Sequence, residues 1–139
     1  MGRWSWIHLR RRKDEIIRVI SLYRVSQEGS NNVVKLTSCK QQVRSKMKQG
    51  VTHPNPRKYL LTDIGQFIQT WRKNSKKHEV ILMSDMNENT GGIGELSELC
   101  TNYDLVDTVA LLNPDIEADP TYLYGSKRIN YIFCYSCPG

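Results

Sequence analysis

Two segments limit the fold more than anything else in the chain: EIIRVISLYRV, starting at Glu15, and HEVILMS, starting at His78. Both are short, rich in Ile, Val and Leu, and apolar on both faces. A strand wetted on one side alternates apolar and polar residues. A run without that alternation suits a central strand covered on two sides. Between these segments the period changes. PRKYLLTDIGQFIQTWRKN, residues 56–74, sets Tyr59, Leu60, Ile64, Phe67, Ile68 and Trp71 at helical spacing, with Pro56 suited to the first turn. A stripe of this kind packs on a sheet, so the pattern predicts an α/β fold with helices laid on a sheet.

The flanking segments fill in the order. RWSWIHL reads as a strand that forms a hairpin with the Glu15 segment, with a basic tip at Arg10 to Lys13 that simply faces water. SQEGSNN is a loop by composition. LTSCKQQVRSKMKQG is a helix with a basic exposed face and a stop at Gly50. GELSELCTNYDL is a short helix with Leu96, Leu99 and Cys100 on one side. LVDTVAL reads as a short strand or extended piece, NPDIEADP as an acidic loop, and TYLYGSKRINYIFCYS as two extended pieces around GSK.

The length of 139 residues fits one domain, residues 1–139. With 39% hydrophobic and 24% charged residues the chain is globular rather than disordered. No apolar run nears the ~20 residues of a membrane span. The first residues lack the order of a signal peptide, so an intracellular location is expected. The net charge of +6 favours an anionic partner such as nucleic acid, although a solvated basic surface explains it equally well. CYSC at the end is a lone C-x-x-C with no second pair and no His at zinc spacing, so the four cysteines are expected to be reduced and incidental.

In α/β sheets, ligands gather where strands end and loops begin. Three such places carry polar groups: Tyr23 with Arg24, Asp85 with Asn87, and Asn130 within RINYIF. Each taken alone reads as a turn residue or a half-buried anchor.

Their order and context resemble the second half of the endonuclease/exonuclease/phosphatase superfamily, the DNase I-like group. EVILMSDMNEN is similar to that family's strand ending in Gly-Asp-x-Asn, with Ser84 in the Gly place. IISLYRV is similar to its strand ending in a functional Tyr, LCTNYDLVDT to its Leu-x-Asp segment, and RINYIF to its Arg-Ile-Asp-Tyr-Ile stretch. Gln41, Gln42 and the 55–71 segment look closest to endonuclease domains linked to reverse transcriptases. The resemblance implies part of a four-layer α/β-sandwich, in which one sheet with flanking helices packs on a second. It also implies a phosphodiesterase or endonuclease that uses Mg²⁺ and acts on nucleic acid. On this reading Asp85 orients or activates the attacking water. Asn87 contacts phosphate or water, Tyr23 contacts phosphate, and Asn130 stands where the family has an Asp. Arg24 and Arg128 are candidate nucleic-acid contacts.

The departures set further expectations. The resemblance runs from Gly2 to Ser136 and covers only the C-terminal half. The family's metal-binding Glu and its terminal Asp-His have no counterpart here, and His8, His53 and His78 match no catalytic position. The expectation is a truncated, catalytically impaired domain. Its alternative is a non-catalytic nucleic-acid-binding remnant or an interaction scaffold. A lone sheet with two apolar faces also predicts a homodimer or a partner half over the uncovered face.

Overall fold

The computed structural model describes residues 4–12, 15–26, 37–74, 78–88 and 94–135. Lys13 of the basic tip, residues 27–32 of the expected loop, and Cys137 lie outside them.

Strand β1 (Trp4–Arg10) and strand β2 (Ile16–Tyr23) form the expected antiparallel hairpin. Helix α1 (Ser38–Lys48) follows, with the Thr37 hydroxyl accepting from the Lys40 amide as its N-cap. Helix α2 spans Pro56–Asn74, and the Asn55 side chain accepts from the amides of Arg57 and Lys58 at 3.1 Å. Strand β3 (His78–Asp85), helix α3 (Glu95–Tyr103), strand β4 (Leu105–Asp107), helix α4 (Thr108–Leu112) and strand β5 (Asn130–Tyr135) complete the order. The five strands form one mixed sheet, β1-β2-β3-β5-β4, in which β2 and β3 run parallel and the other pairs antiparallel. The fold is therefore α/β, as the alternating periods predict.

Alternation along the strands decides which face is core. Ile20, Leu22, Val80, Leu82, Tyr131 and Phe133 point to one face and are buried under Leu61, Ile64, Ile68 and Trp71 of α2 and Leu96 and Leu99 of α3. The expected α2 stripe is rotated slightly. Leu61 is buried, while Tyr59 and Phe67 lie at the margins and are exposed. Phe67 meets the edge strand through a T-shaped contact with Trp4. Gly65 faces α3, and a Cβ at that position would overlap the Tyr103 ring. That glycine sets how closely the two helices approach.

The opposite face carries Ile7, Leu9, Ile17, Val19, Ile81, Met83 and Ile132. Ile7, Leu9, Met83 and Ile132 are exposed. Among the described residues only α4 and the segment after it border this face, beside β5. The sheet thus has one covered face and one largely bare apolar face. LVDTVAL divides differently from expectation, into the three residues of β4 and then α4, which the Asp107 carboxylate caps by accepting from the Val109 amide at 3.0 Å. The first extended piece, TYLY, is not a strand, because β3 and β4 already occupy both edges of β5.

Candidate functional site

Register alone brings the strand-end polar groups together. Tyr23 of β2 pairs with Asp85 of β3, and Asp85 pairs with Asn130 of β5. The three residues form one row across adjacent strands on the bare face, where β2 and β3 end. The Met86 amide donates to the Ile129 carbonyl at 2.8 Å. Narrow and wide pairs alternate along an antiparallel ladder, so Asp85 and Asn130 form the non-hydrogen-bonded kind, with Cα atoms about 4.5 Å apart and side chains at their closest. Tyr23 and Asn130 are exposed and Asp85 is half-buried, so the row is open to a ligand.

Asn87 sits one step beyond, with a positive φ of 48°. Asn tolerates that left-handed conformation better than most residues. Its amide N–H donates to Asp85 Oδ1 at 3.2 Å, and its Nδ2 donates to the Arg24 carbonyl at 2.7 Å. The Arg24 amide donates in turn to the Asp85 carbonyl at 2.8 Å. Asn87 therefore splints the end of β3 to the end of β2, and the side-chain nitrogen expected to meet phosphate is engaged in that splint. Ser84, in the place of the family's Gly, points into the core and donates to the Tyr131 carbonyl at 3.5 Å.

Arg24 does not face nucleic acid. Its side chain is fully buried and ion-paired with both Glu88 and Glu95. Glu88 also accepts from Arg57 at 2.9 Å, and Glu95 from Asn55 at 3.2 Å. Arg57 donates again to the Val25 carbonyl. Burial and the nearby Arg24 charge pull the Arg57 pKa down from its usual value, against the pull of Glu88. Two guanidinium groups and two carboxylates balance, and together they tie the ends of β2 and β3 to the starts of α2 and α3. Sequence reasoning missed Glu88, Glu95 and Arg57. The available signal was an Arg directly after an apolar strand, with two acids following the next strand end.

Arg128 is likewise engaged in an ion pair. It forms a two-pronged pair with Asp107, one arm at 3.0 Å, and lies over the Tyr131 ring at 4.7 Å. The Thr121 hydroxyl accepts from the amides of Ile129 and Asn130 at 2.9 and 3.0 Å and fixes the entry to β5. Between α4, the acidic segment and β5 lies an open cleft of about 470 Å³, whose lining includes Glu117, Asp119, Arg128 and Asn130.

The row and Asn87 beside it hold one carboxylate, two amide side chains and a phenol. Mg²⁺ is held by one or two carboxylates completed by water and phosphate oxygens. Among the described residues no group of three His, Cys, Asp or Glu side chains is arranged to hold a metal. Asp85 can act as one ligand or as a base, but this donor set does not form a metal site unaided.

The architecture has counterparts among solved structures. The human Nocturnin catalytic domain, whose structure holds a sulfate anion, superposes over 95% of this chain with a TM-score of 0.55 at 13% identity. Beta toxin from Staphylococcus aureus superposes over 96% (TM-score 0.52, 17% identity). Sphingomyelinase C from Streptomyces griseocarneus superposes over 95% (TM-score 0.51, 15% identity). The fold is DNase I-like. This chain spans 48%, 42% and 41% of those three chains respectively. No family model matches the sequence, and no curated protein matches it. The likeness is therefore one of DNase I-like architecture. No helix among the described residues is long and apolar enough to cross a membrane.

Proposed function

We propose that this chain is one half of a DNase I-like hydrolase domain that breaks phosphoester bonds, and that Tyr23, Asp85, Asn87 and Asn130 form its share of the active site. The observation that supports this best is the Tyr23–Asp85–Asn130 row. Three residue types suited to phosphoryl chemistry stand in register, on an open face, at the end of the sheet where such folds bind ligands. Asp85 serves as the base or orienting group for water, with its main chain held by the Arg24 amide and its carboxylate by the Asn87 amide. Tyr23 donates its phenol proton to a phosphate oxygen, and the Asn130 amide donates beside it. Asn87 contributes by holding the loop.

The substrate class we favour is nucleic acid, on the net charge of +6. A retroelement-type endonuclease is the finer reading, and it rests on the sequence resemblance. A divalent ion such as Mg²⁺ would supply Lewis acidity at the phosphate, and a companion half would bring the further carboxylate that it needs. The same companion would cover the bare face carrying Met83 and Ile132. With a single carboxylate in the row and an amide at 130, the chain alone has no efficient nuclease activity.

Mg²⁺ titration of the purified chain with a fluorescent abasic or nicked duplex tests this, with Asp85→Ala alongside. No Asp85-dependent cleavage is expected from the chain alone. Mg²⁺-dependent cleavage that disappears in Asp85→Ala would overturn the half-site reading, because a complete site would then assemble from this chain.

A further inference from the structure

Strand β1 ends the sheet, and its outer edge has no strand partner among the described residues. A long free edge is a template for another strand, and proteins usually blunt it with Pro, a bulge or inward charge. This edge has none of these. β1 pairs with β2 over seven consecutive partners without a bulge and contains no Pro, and its one Arg is at the end. Trp6, Ile7 and Leu9 along it are 41%, 60% and 49% exposed.

The hydrogen-bond phase of the edge follows from one bond. The Arg11 amide donates to the Glu15 carbonyl at 2.8 Å, which makes 11 and 15 a narrow pair. Narrow pairs recur at every second residue, so Leu9, Ile7 and Ser5 direct their main-chain groups at β2. Trp4, Trp6, His8 and Arg10 direct theirs outward.

We propose that β1 pairs antiparallel with β1 of a second copy of this chain, about a two-fold axis at Ile7. In that register Trp6 faces the partner copy's His8 and Trp4 faces its Arg10. These are the residues whose main-chain groups have no strand partner among the described residues, and they supply about eight inter-copy hydrogen bonds. Each copy places two Trp rings against two cationic or cation-forming side chains of the other, a favourable pairing that repeats itself across the axis. Ile7 meets Ile7 as a non-hydrogen-bonded pair, the close-set kind. An unrelated peptide could use the same main-chain groups. The strand's own side chains, however, are complementary to their reversed order, which favours a second copy. The two sheets become one ten-stranded sheet, and the phosphoester row stays open. The inference does not depend on what that row does.

Sedimentation of the wild-type chain across micromolar concentrations is expected to show a dimer. Ile7→Lys sets two like charges on the axis and should give a monomer with unchanged circular dichroism, while Met83→Lys on the bare face should leave the dimer intact. With the four native cysteines changed to Ala, Ile7→Cys should cross-link to near completion on mild oxidation. Ser5→Cys and Leu9→Cys should not cross-link singly, but should do so when mixed, since 5 faces 9 across the axis. A monomeric wild type, a dimer that survives Ile7→Lys, a dimer lost in Met83→Lys, or equal cross-linking at 5 and 7 would each overturn the proposal.

Discussion

Arg24→Met removes a fully buried guanidinium while keeping much of its apolar volume. The consequence can be worked from the surroundings. Deleting one member of a buried ion pair costs about 3–5 kcal/mol, because the remaining charge stays in a poorly solvated place. Here two carboxylates lose a partner, but neither is left isolated. Glu88 keeps Arg57 at 2.9 Å and is 26% exposed at the side chain. Glu95 keeps Asn55 at 3.2 Å and is 33% exposed. Water and these second partners offset part of the loss, which brings the expected cost to the lower end, about 3 kcal/mol. With a urea m-value of about 1.5–3 kcal/mol/M, the midpoint should fall by about 1–2 M. Neutralising a stranded acid should recover part of that: Arg24→Met with Glu95→Gln is expected to be more stable than Arg24→Met alone. Equilibrium urea unfolding followed by Trp fluorescence reads both. A loss below about 0.5 kcal/mol, the range of an ordinary surface substitution, would mean that the four-charge network does not hold the strand ends.

Gly65→Ala should destabilise by about 1–2 kcal/mol, although alanine is the better helix former by about 1 kcal/mol, because the Tyr103 ring must move; adding Tyr103→Leu should reverse the sign. Burial, helped by the Asp107 charge, pushes the Cys100 thiol up to about 11 from 9.0. Above the lower value the unfolded chain loses this proton while the folded chain keeps it, so the contribution is intact below about pH 9 and declines towards about pH 11. The half-exposed site limits the effect to about 1 kcal/mol, seen as a smaller alkaline loss in Cys100→Ala by urea unfolding at two pH values. Thr121→Val removes the acceptor of two exposed amides at the entry to β5 and should cost about 0.5–1 kcal/mol in the same assay.

Periodicity made most of the architecture readable. Helix α2 has the bounds expected from its stripe, and the apolar runs became β2 and β3 because such runs fit few other places. The errors lie where a neighbour decides. Tyr59 and Leu61 differ by a rotation of the helix, which depends on the sheet beneath and on the close approach of α3 at Gly65. TYLY has strand-forming residues, but both sides of β5, the strand it leads into, are taken by β3 and β4. The candidate site was readable as strand-end polar residues, and the resemblance put Tyr23, Asp85 and Asn130 on one list. Register made them a row. The ion pairs of Arg24 and Arg128 were not readable, because charge in a sequence says nothing of its partner. Glu88, Glu95 and Asp107 reach them only through the crossing of the chain.

Asn130 is the residue at which this row and the resemblance part, and it allows a direct test of what the row can hold. Asn130→Asp places a second carboxylate in a close-set pair with Asp85. Like charges directly opposite on adjacent strands are destabilising, by about 0.2–1 kcal/mol, so without divalent ions the variant should unfold earlier than the wild type. Two carboxylates with amide, phenol and water oxygens nearby are the donor type that hard divalent cations accept. At an ion concentration about ten times the dissociation constant, binding to the folded state alone stabilises by about 1.4 kcal/mol, enough to offset the repulsion. Thermal unfolding with and without Mg²⁺ or Mn²⁺ should therefore show an upward shift in Asn130→Asp, a much smaller one in the wild type, and none in Asp85→Ala with Asn130→Asp. Equal shifts in all three would mean that the ions act elsewhere on the protein. No shift in Asn130→Asp would mean that Asp85 and residue 130 do not converge on a common ligand, and the row would then be a strand end and no more.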